Sequence, residues 1–198
     1  MTRLILTTIL GALGLLITAA SGSISVHAAQ TATIRNIDFR NFGYSSDCSK
    51  EFGDGSDKII HLTNGKWQKG ANEDAIYMNL ERVMYGDLTG TRAEQAVVET
   101  SCWGATNFGM QELFVFEMAA GSPKLFARLT GADWGKGEDC SAPYCSPLEL
   151  RVGTRLLSVG FGVGGSHACP DTLVTTQFRW NGKQFTRTGL DRKPYKCP

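Results

Sequence analysis

The chain carries almost no excess charge. Its 20 basic and 19 acidic residues leave a formal net charge of +1. That balance gives no electrostatic reason to expect nucleic acid or an anionic membrane surface as partner. Histidine is scarce, with three in 198 residues, and no Cys-x-x-Cys pair occurs. A zinc centre built from the usual ligands therefore finds little support. The glycine-rich stretch from Ser158 to Ser166 is followed by no lysine and no helical pattern. It reads as a strand end entering a loop, not as a phosphate cradle. Ser166 and His167 are adjacent, so on extended backbone they point to opposite faces, and Ser166 does not sit in a Gly-x-Ser-x-Gly turn. Helical periodicity is nearly absent after the first thirty residues. Disorder is excluded too, because 42% of the residues are apolar and only 20% are charged.

What is present begins with the leader. Arg3 is the only charge before Arg35, and Leu4 to Ala20 is a nearly unbroken apolar run that ends in Ser21-Gly22-Ser23 and then Val26-His27-Ala28-Ala29. A basic start, an apolar middle and a small-residue exit are the three regions of a secretory signal peptide. The expected boundary puts the signal at 1–28 and one exported β-rich domain at 29–198. The run is short for a stable membrane span of about 20 residues. Removal of 28 residues from the 198 leaves 170, and since Arg3 is the only charge lost, the remainder is formally neutral.

All six cysteines (Cys48, Cys102, Cys140, Cys145, Cys169 and Cys197) fall in that remainder. An even set in an exported chain reads as disulfides. Cys140 and Cys145 are close enough for a local link; the expected long-range links are Cys102–Cys169 and Cys48–Cys197.

The remaining pattern is one of short strands and turns. Arg35 to Phe42 alternates, with Ile37 and Phe39 on one face. Lys58 to Leu62 leads into Asn64-Gly65, a signal for a primed hairpin turn. Ile76, Met78 and Leu80 alternate, and Ala96 to Cys102 reads as a buried strand. Three hairpins are expected: 113–118 with 124–129, 148–152 with 155–161, and 173–180 with 184–187 around Asn181-Gly182. The one helical turn expected lies at Thr91 to Gln95, and 131–147 reads as an irregular insert. About ten short strands at this spacing predict an all-β class, an antiparallel sandwich, barrel or propeller-like fragment stapled by disulfides.

Four segments carry candidate chemistry. The first is Tyr85 to Val98. Its Gly86, Asp87, Gly90 and Glu94 resemble the loop of integrin-type FG-GAP propeller repeats, which implies a calcium site at Asp87, Thr89, Thr91 and Glu94. Thr89 and Thr91 stand where an amide and a carboxylate are usual, and Arg92 replaces the second loop glycine. Ca²⁺ takes six to eight oxygens, so the competing reading is a loop braced by its own Asp and Thr side chains. The second is Trp103 to Met110, an aromatic, glycine-rich loop in which Trp103, Asn107, Phe108 and Met110 are candidate binding residues. The third is the insert 131–147. There Trp134 is a candidate binding residue, and Asp133, Glu138 and Asp139 are candidate acids for a carboxylate-based hydrolase. The fourth is a set of order-preserving matches: Ile34 to Phe42, Tyr85 to Val98, Leu113 to Leu129 and Thr175 to Phe185 together resemble exported bacterial proteins of unassigned chemistry, with a fainter likeness to LppP/LprE-type lipoproteins whose lipidated cysteine has no counterpart here. The resemblance implies a β-rich extracytoplasmic domain.

The sequence thus predicts a periplasmic or secreted binding or envelope-associated module without catalytic activity. Its expected partner is a protein or glycan of the cell envelope, with no nucleic acid and no stable membrane insertion after signal cleavage. No cofactor is expected except calcium in the structural alternative. The competing expectations are an envelope polysaccharide or peptide hydrolase and a calcium-stabilised structural module.

Overall fold

A computed structural model of the chain describes residues 33–53, 55–56, 58–104, 109–139, 145–165 and 169–196. All of them belong to one contact unit running from Thr31 to Pro198. The chain enters through two single turns of 3-10 helix, Ile34–Asn36 and Phe39–Asn41. It continues through β1 (Gly43–Tyr44), α1 (Cys48–Phe52) and β2 (Ile60–His61), where β1 and β2 form a small antiparallel ladder. Then come β3 (Lys66–Lys69), β4 (Ile76–Gly86), β5 (Gln95–Trp103), β6 (Gly109–Ala119) and β7 (Ser122–Thr130), which pair in chain order as a five-stranded antiparallel sheet. A short α2 (Gly131–Trp134) leads to β8 (Pro147–Gly153), β9 (Leu156–Val163), β10 (Thr172–Trp180) and β11 (Phe185–Pro194), a second, four-stranded antiparallel meander. The all-β class predicted from the spacing of strands and turns is the observed one.

The five-stranded sheet is buried on both faces at its centre. Side chains alternate along a strand. Val97, Leu113 and Val115 pack with Leu157, Val159, Phe161, Val174 and Phe178 of the four-stranded sheet. Ala96, Val98, Phe114 and Phe116 pack on the opposite side with Ile34, Phe39, Tyr44, Ile60 and Leu62 of the entry segment. This explains the short unbroken apolar runs Ala96-Val97-Val98 in β5 and Leu113-Phe114-Val115-Phe116 in β6, where both faces of the strand are covered. Phe39, Phe42, Tyr44, Phe114 and Phe116 interlock with ring centroids 5.2–6.4 Å apart, contacts of about 0.5–1.5 kcal/mol each beyond area burial. The Tyr44 hydroxyl donates to the Phe39 carbonyl at 2.6 Å, and burial pushes its pKa up. Along β9, Leu157, Val159 and Phe161 join the core between the sheets, while Ser158 and Gly160 point to the opposite face, where they too are buried.

Several local expectations are corrected. Arg35 to Phe42 is not a strand; the Asp38 carboxylate accepts from the Arg40 backbone N–H and the Asn41 amide, which favours a tight turn over extension. Asn64-Gly65 does make a primed turn, with φ of 53° and 82°. It closes a single bridge, Thr63 to Lys66, while β2 pairs with β1 and β3 with β4. The β6–β7 turn is two residues long, and Ala119 pairs with Ser122. Thr91 to Gln95 is not helical, whereas α1 and α2 are helices the sequence pattern does not announce. Strand β11 runs on to Pro194, well past Arg187.

The cysteine pairing is corrected as well. Cys48 is bonded to Cys102, across 54 residues, with Cα atoms 5.6 Å apart. That link overturns both Cys102–Cys169 and Cys48–Cys197. It joins α1 to the end of β5, fixing the entry layer to the sheet it covers. Cys145 and Cys169 are also disulfide-bonded. Cys140 and Cys197 lie outside the described residues. No described helix is long and apolar enough to cross a membrane.

Candidate functional site

The outward face of the four-stranded sheet carries a groove of about 350 Å³, at the lower end of the roughly 300–1,000 Å³ found for ligand clefts. Pairing register sets its chemistry. One row across the sheet reads Glu149, Gly160, Thr175, Asp191. The next reads Arg151, Ser158, Gln177, Gly189. On the other side of the first row lie Gly162, Leu173 and Lys193. The outer strands β8 and β11 therefore supply charged walls, and β9 and β10 supply a floor of hydroxyl, amide and glycine. A Cβ on Gly160 would stand 3.1 Å from the Glu149 Cβ, so glycine keeps that floor low. Arg151 donates to Glu149 at 3.0 Å, and Lys193 lies 3.7 Å from the same carboxylate. The second contact links the two edge strands over the groove. Asp191 is exposed and has no ion-pair partner among the described residues.

The segment singled out for calcium is a self-braced loop. Asp87 Oδ1 accepts the backbone N–H groups of Gly90 (2.6 Å) and Thr91 (3.0 Å), and Oδ2 accepts that of Arg92 (2.8 Å). Partial desolvation raises the Asp87 pKa, and the donors of Arg92, Gly90 and Thr91 outweigh it, so the carboxyl stays below the usual range. Thr89 and Thr91 hydroxyls bond to each other at 2.8 Å. Glu94 is held by Arg35 through two contacts of 2.6 and 2.7 Å, and that guanidinium lies 4.6 Å over the Tyr85 ring. The Arg35 bond pulls the Glu94 pKa down. Gln95, which is buried, accepts from the Leu88 N–H and donates to the Ala93 carbonyl. The oxygens named as ligands are thus engaged with protein donors. Among the described residues no group of His, Cys, Asp and Glu side chains assembles a metal site.

The named binding residues separate. Trp134 is fully buried, its indole N–H donates to the Cys145 carbonyl at 2.7 Å, and it belongs to the core between the sheets. Met110 is 2% exposed and packs on the opposite face. Both are therefore core residues, a correction to their expected binding role. Trp103 does stand at the surface, 37% exposed and opposite Tyr77. Asn107 and Phe108 lie outside the described residues. The acids named for hydrolysis are spread out too. Asp133 caps α2 by accepting from the Thr130 N–H at 2.7 Å. Glu138 is clamped by Arg192 at 2.7 and 2.8 Å, with Arg187 at 3.7 Å, which pins the insert onto β11. Asp139 is exposed.

Two buried carboxylates escaped the sequence reading. Glu112, 1% exposed, accepts from the Ser46 hydroxyl and lies 3.3 Å from Arg128, which also pairs with Asp47. Burial pushes its pKa up, with Ser46 and Arg128 pulling the other way. Glu99 is paired with Arg82 on the opposite sheet face, and burial again raises its pKa. Every buried polar side-chain atom among the described residues has a hydrogen-bond partner, so these networks serve as internal braces. The groove residues Glu149, Arg151, Asp191 and Lys193 were likewise not singled out. Alternation in β8 to β10 marks which side chains face out, but only the pairing register brings them together.

No family model, curated protein or solved structure matches this chain.

Proposed function

We propose that this protein is an extracytoplasmic binding module whose ligand lies in the groove of the four-stranded sheet. The observation that carries the reading is the row Glu149, Gly160, Thr175, Asp191, which sets charged walls on either side of a low floor of glycine and hydroxyl. Export is supported by the signal-like leader, by the Cys48–Cys102 link and by the bonded state of Cys145 and Cys169, since disulfides persist in oxidising compartments. Candidate partners are peptides and glycans of the cell envelope. The same row sets two carboxylates on opposite walls, the feature a hydrolase would need. Glu149 is however already paired with two cations, and both acids stand at a solvent-open face that does not exclude water. Binding is therefore the reading we adopt.

The test is an NMR titration of the isotope-labelled mature protein with soluble envelope peptides and glycan fragments. Amide shifts should concentrate at Gly160, Thr175 and Asp191, and G160V should abolish them while the protein stays folded. Saturable shifts centred on Trp103 instead would overturn the site. Export is checked separately by subcellular fractionation and by the mass of the processed chain.

A further inference from the structure

From the strand register we infer a further disulfide, Cys169–Cys197, and a role for it: an accessible latch that fastens the outer wall of the groove and that a dithiol reductant opens while the buried Cys48–Cys102 link stays closed. Cys169 is disulfide-bonded, and no described cysteine is free. With Cys48 and Cys102 joined to each other, its partner is Cys140, Cys145 or Cys197. From Gln177↔Gly189 to Thr172↔Pro194, β10 and β11 keep one register without a slip. The ladder runs on past its last pair, because the Tyr195 N–H donates to the Asp171 carbonyl at 2.9 Å. Two further steps in that register bring position 197 opposite Cys169. Hydrogen-bonded pairs alternate with non-bonded ones, so positions 169 and 197 fall on a bonded pair like Asp171 and Tyr195, with Cα atoms about 5.5 Å apart. A disulfide needs about 4.4–6.8 Å, with both side chains on one face, as directly opposite residues have. Pro170 and Pro194 fall on the non-bonded positions between, where the ladder asks no N–H of them. Cys145 fits worse as a partner. It precedes β8 and packs in the core between the sheets, whereas Cys169 precedes β10 and is exposed. With β9 between those strands they stand roughly 10 Å apart, past the limit of about 7 Å for a bridge. Cys140 is then left for Cys145, five positions away.

The latch acts where the wall is weakest. Strand β11 is an edge strand bonded only to β10, and its residues from Leu190 to Pro194 are exposed. An end with so little burial opens easily. Lys193 lies in it, and its ammonium reaches the Glu149 carboxylate across the groove. A cross-link at position 197 stops fraying from the chain end before it reaches Lys193. The bond is also the exposed one: Cys169 is at the surface, while Cys48 and Cys102 are 0% and 2% exposed. Exchange depends on access, so a dithiol attacks here first. Its thiolate attacks one sulfur and the other leaves as a thiolate; its second thiol then displaces the mixed disulfide. Two electrons and two protons pass to the protein cysteines, and the reductant departs as a disulfide. The effect on binding rests on the groove being the ligand site; the bond itself does not.

The pairing is tested by tryptic digestion without reduction, followed by mass spectrometry. Trypsin leaves Cys140 and Cys145 together in peptide 137–151, Cys169 in 156–179 and Cys197 in 197–198. Peptide 156–179 should be found joined to 197–198, and 137–151 closed on itself. A cross-link from 137–151 to either of the others overturns the pairing. Stepwise reduction with dithiothreitol, trapped with iodoacetamide, should label Cys169 and Cys197 before Cys48 and Cys102; the reverse order overturns the selective opening. In the partly reduced protein, and in the variant C169A/C197A, the protection factors of the Lys193 and Tyr195 amides should fall at least tenfold in hydrogen exchange, while those of Leu113 and Val115 hold. Unchanged protection at Lys193 and Tyr195 overturns the latch. Binding of the envelope fragments, followed at Gly160, Thr175 and Asp191, should weaken at least threefold in the same two samples, and equal binding overturns the control of the groove. Absence of groove shifts in both redox states overturns the groove as the ligand site, while the digest and the exchange data still decide the latch.

Discussion

The Cys48–Cys102 link gives a prediction with a magnitude. Both sulfurs are buried and join α1 to β5 across 54 residues. In the chain-entropy account, closing a loop of that length removes about 14 cal/mol/K from the unfolded ensemble, or about 4 kcal/mol at 25 °C. The double variant C48A/C102A should therefore lose about 4 kcal/mol, which for a domain of this size corresponds to a drop in Tm of about 8–16 °C. Urea unfolding followed by far-ultraviolet circular dichroism measures it, using the double variant so that the bonds at Cys145 and Cys169 stay intact. The two single variants should each cost nearly as much as the double one, because either removes the same cross-link. The slope against urea should rise, since an uncrosslinked unfolded chain exposes more surface. A loss below about 1 kcal/mol would refute the reasoning. The aromatic layer of Phe39, Phe42, Tyr44, Phe114 and Phe116 would then hold the entry segment by packing alone.

W134F should lower stability by about 1–3 kcal/mol, because the buried Cys145 carbonyl loses its indole donor, while ligand shifts at Gly160 and Thr175 are unchanged; denaturant melts and titrations of the same variant check both halves. Glu112 has a raised folded pKa, so its folded form holds a proton at pH values where the unfolded form has released one. Stability should thus be greatest below the ordinary glutamate value of 4.5 and fall as pH rises from there through the folded pKa. E112Q should flatten that fall in urea midpoints taken across pH, and an unchanged slope would show that Arg128 dominates over burial. The Asp87 carboxyl is depressed, so its support for the 87–92 loop is present above its unfolded pKa and lost as pH drops through the lower folded value. The protection factors of the Gly90, Thr91 and Arg92 amides, taken relative to the intrinsic exchange rate at each pH, should fall on acidification, and D87N should blunt that change. G90A should cost about 1–2 kcal/mol, because a left-handed φ of 77° is strained for alanine and a Cβ there runs into the Arg155 side chain; circular dichroism melts measure it.

The parts of the fold governed by nearest-neighbour chemistry were legible. The alternation of Ile76 and Met78 located β4, the run Ala96-Val97-Val98 located a buried strand, and Asn64-Gly65 located a primed turn. The failures share a cause. Arg35 to Phe42 alternates as a strand would, yet Asp38 accepts two local bonds and curls it. Asn64-Gly65 turns the chain as expected, yet the strand before it pairs with β1, because Ile60 and Tyr44 meet across a core that no local signal describes. Trp134 looked like an exposed stacking ring because its neighbours are Gly, Asp and Lys. Its indole instead fills the space between the sheets, and the polar neighbours are free to face water because the helix is only one turn long.

The site was hidden for a more specific reason. Glu149, Arg151, Asp191 and Lys193 lie in two short stretches separated by some forty residues of ordinary-looking strand. Each stretch taken alone is an alternating edge strand with charges on its solvent side, a common way to blunt an edge. What makes them a site is a register choice. Gly160 pairs with Glu149 on one side and with Thr175 on the other, and Thr175 pairs with Asp191. A one-residue slip anywhere in that chain of pairings would turn one wall into the core and its apolar partners into the groove. The register is fixed by Leu157, Val159, Phe161, Val174 and Phe178 on the buried face. The residues that define the groove are therefore held in place by residues that never touch it, so apolar substitutions in β9 and β10 are predicted to change ligand binding and stability together, whereas D191N changes binding alone.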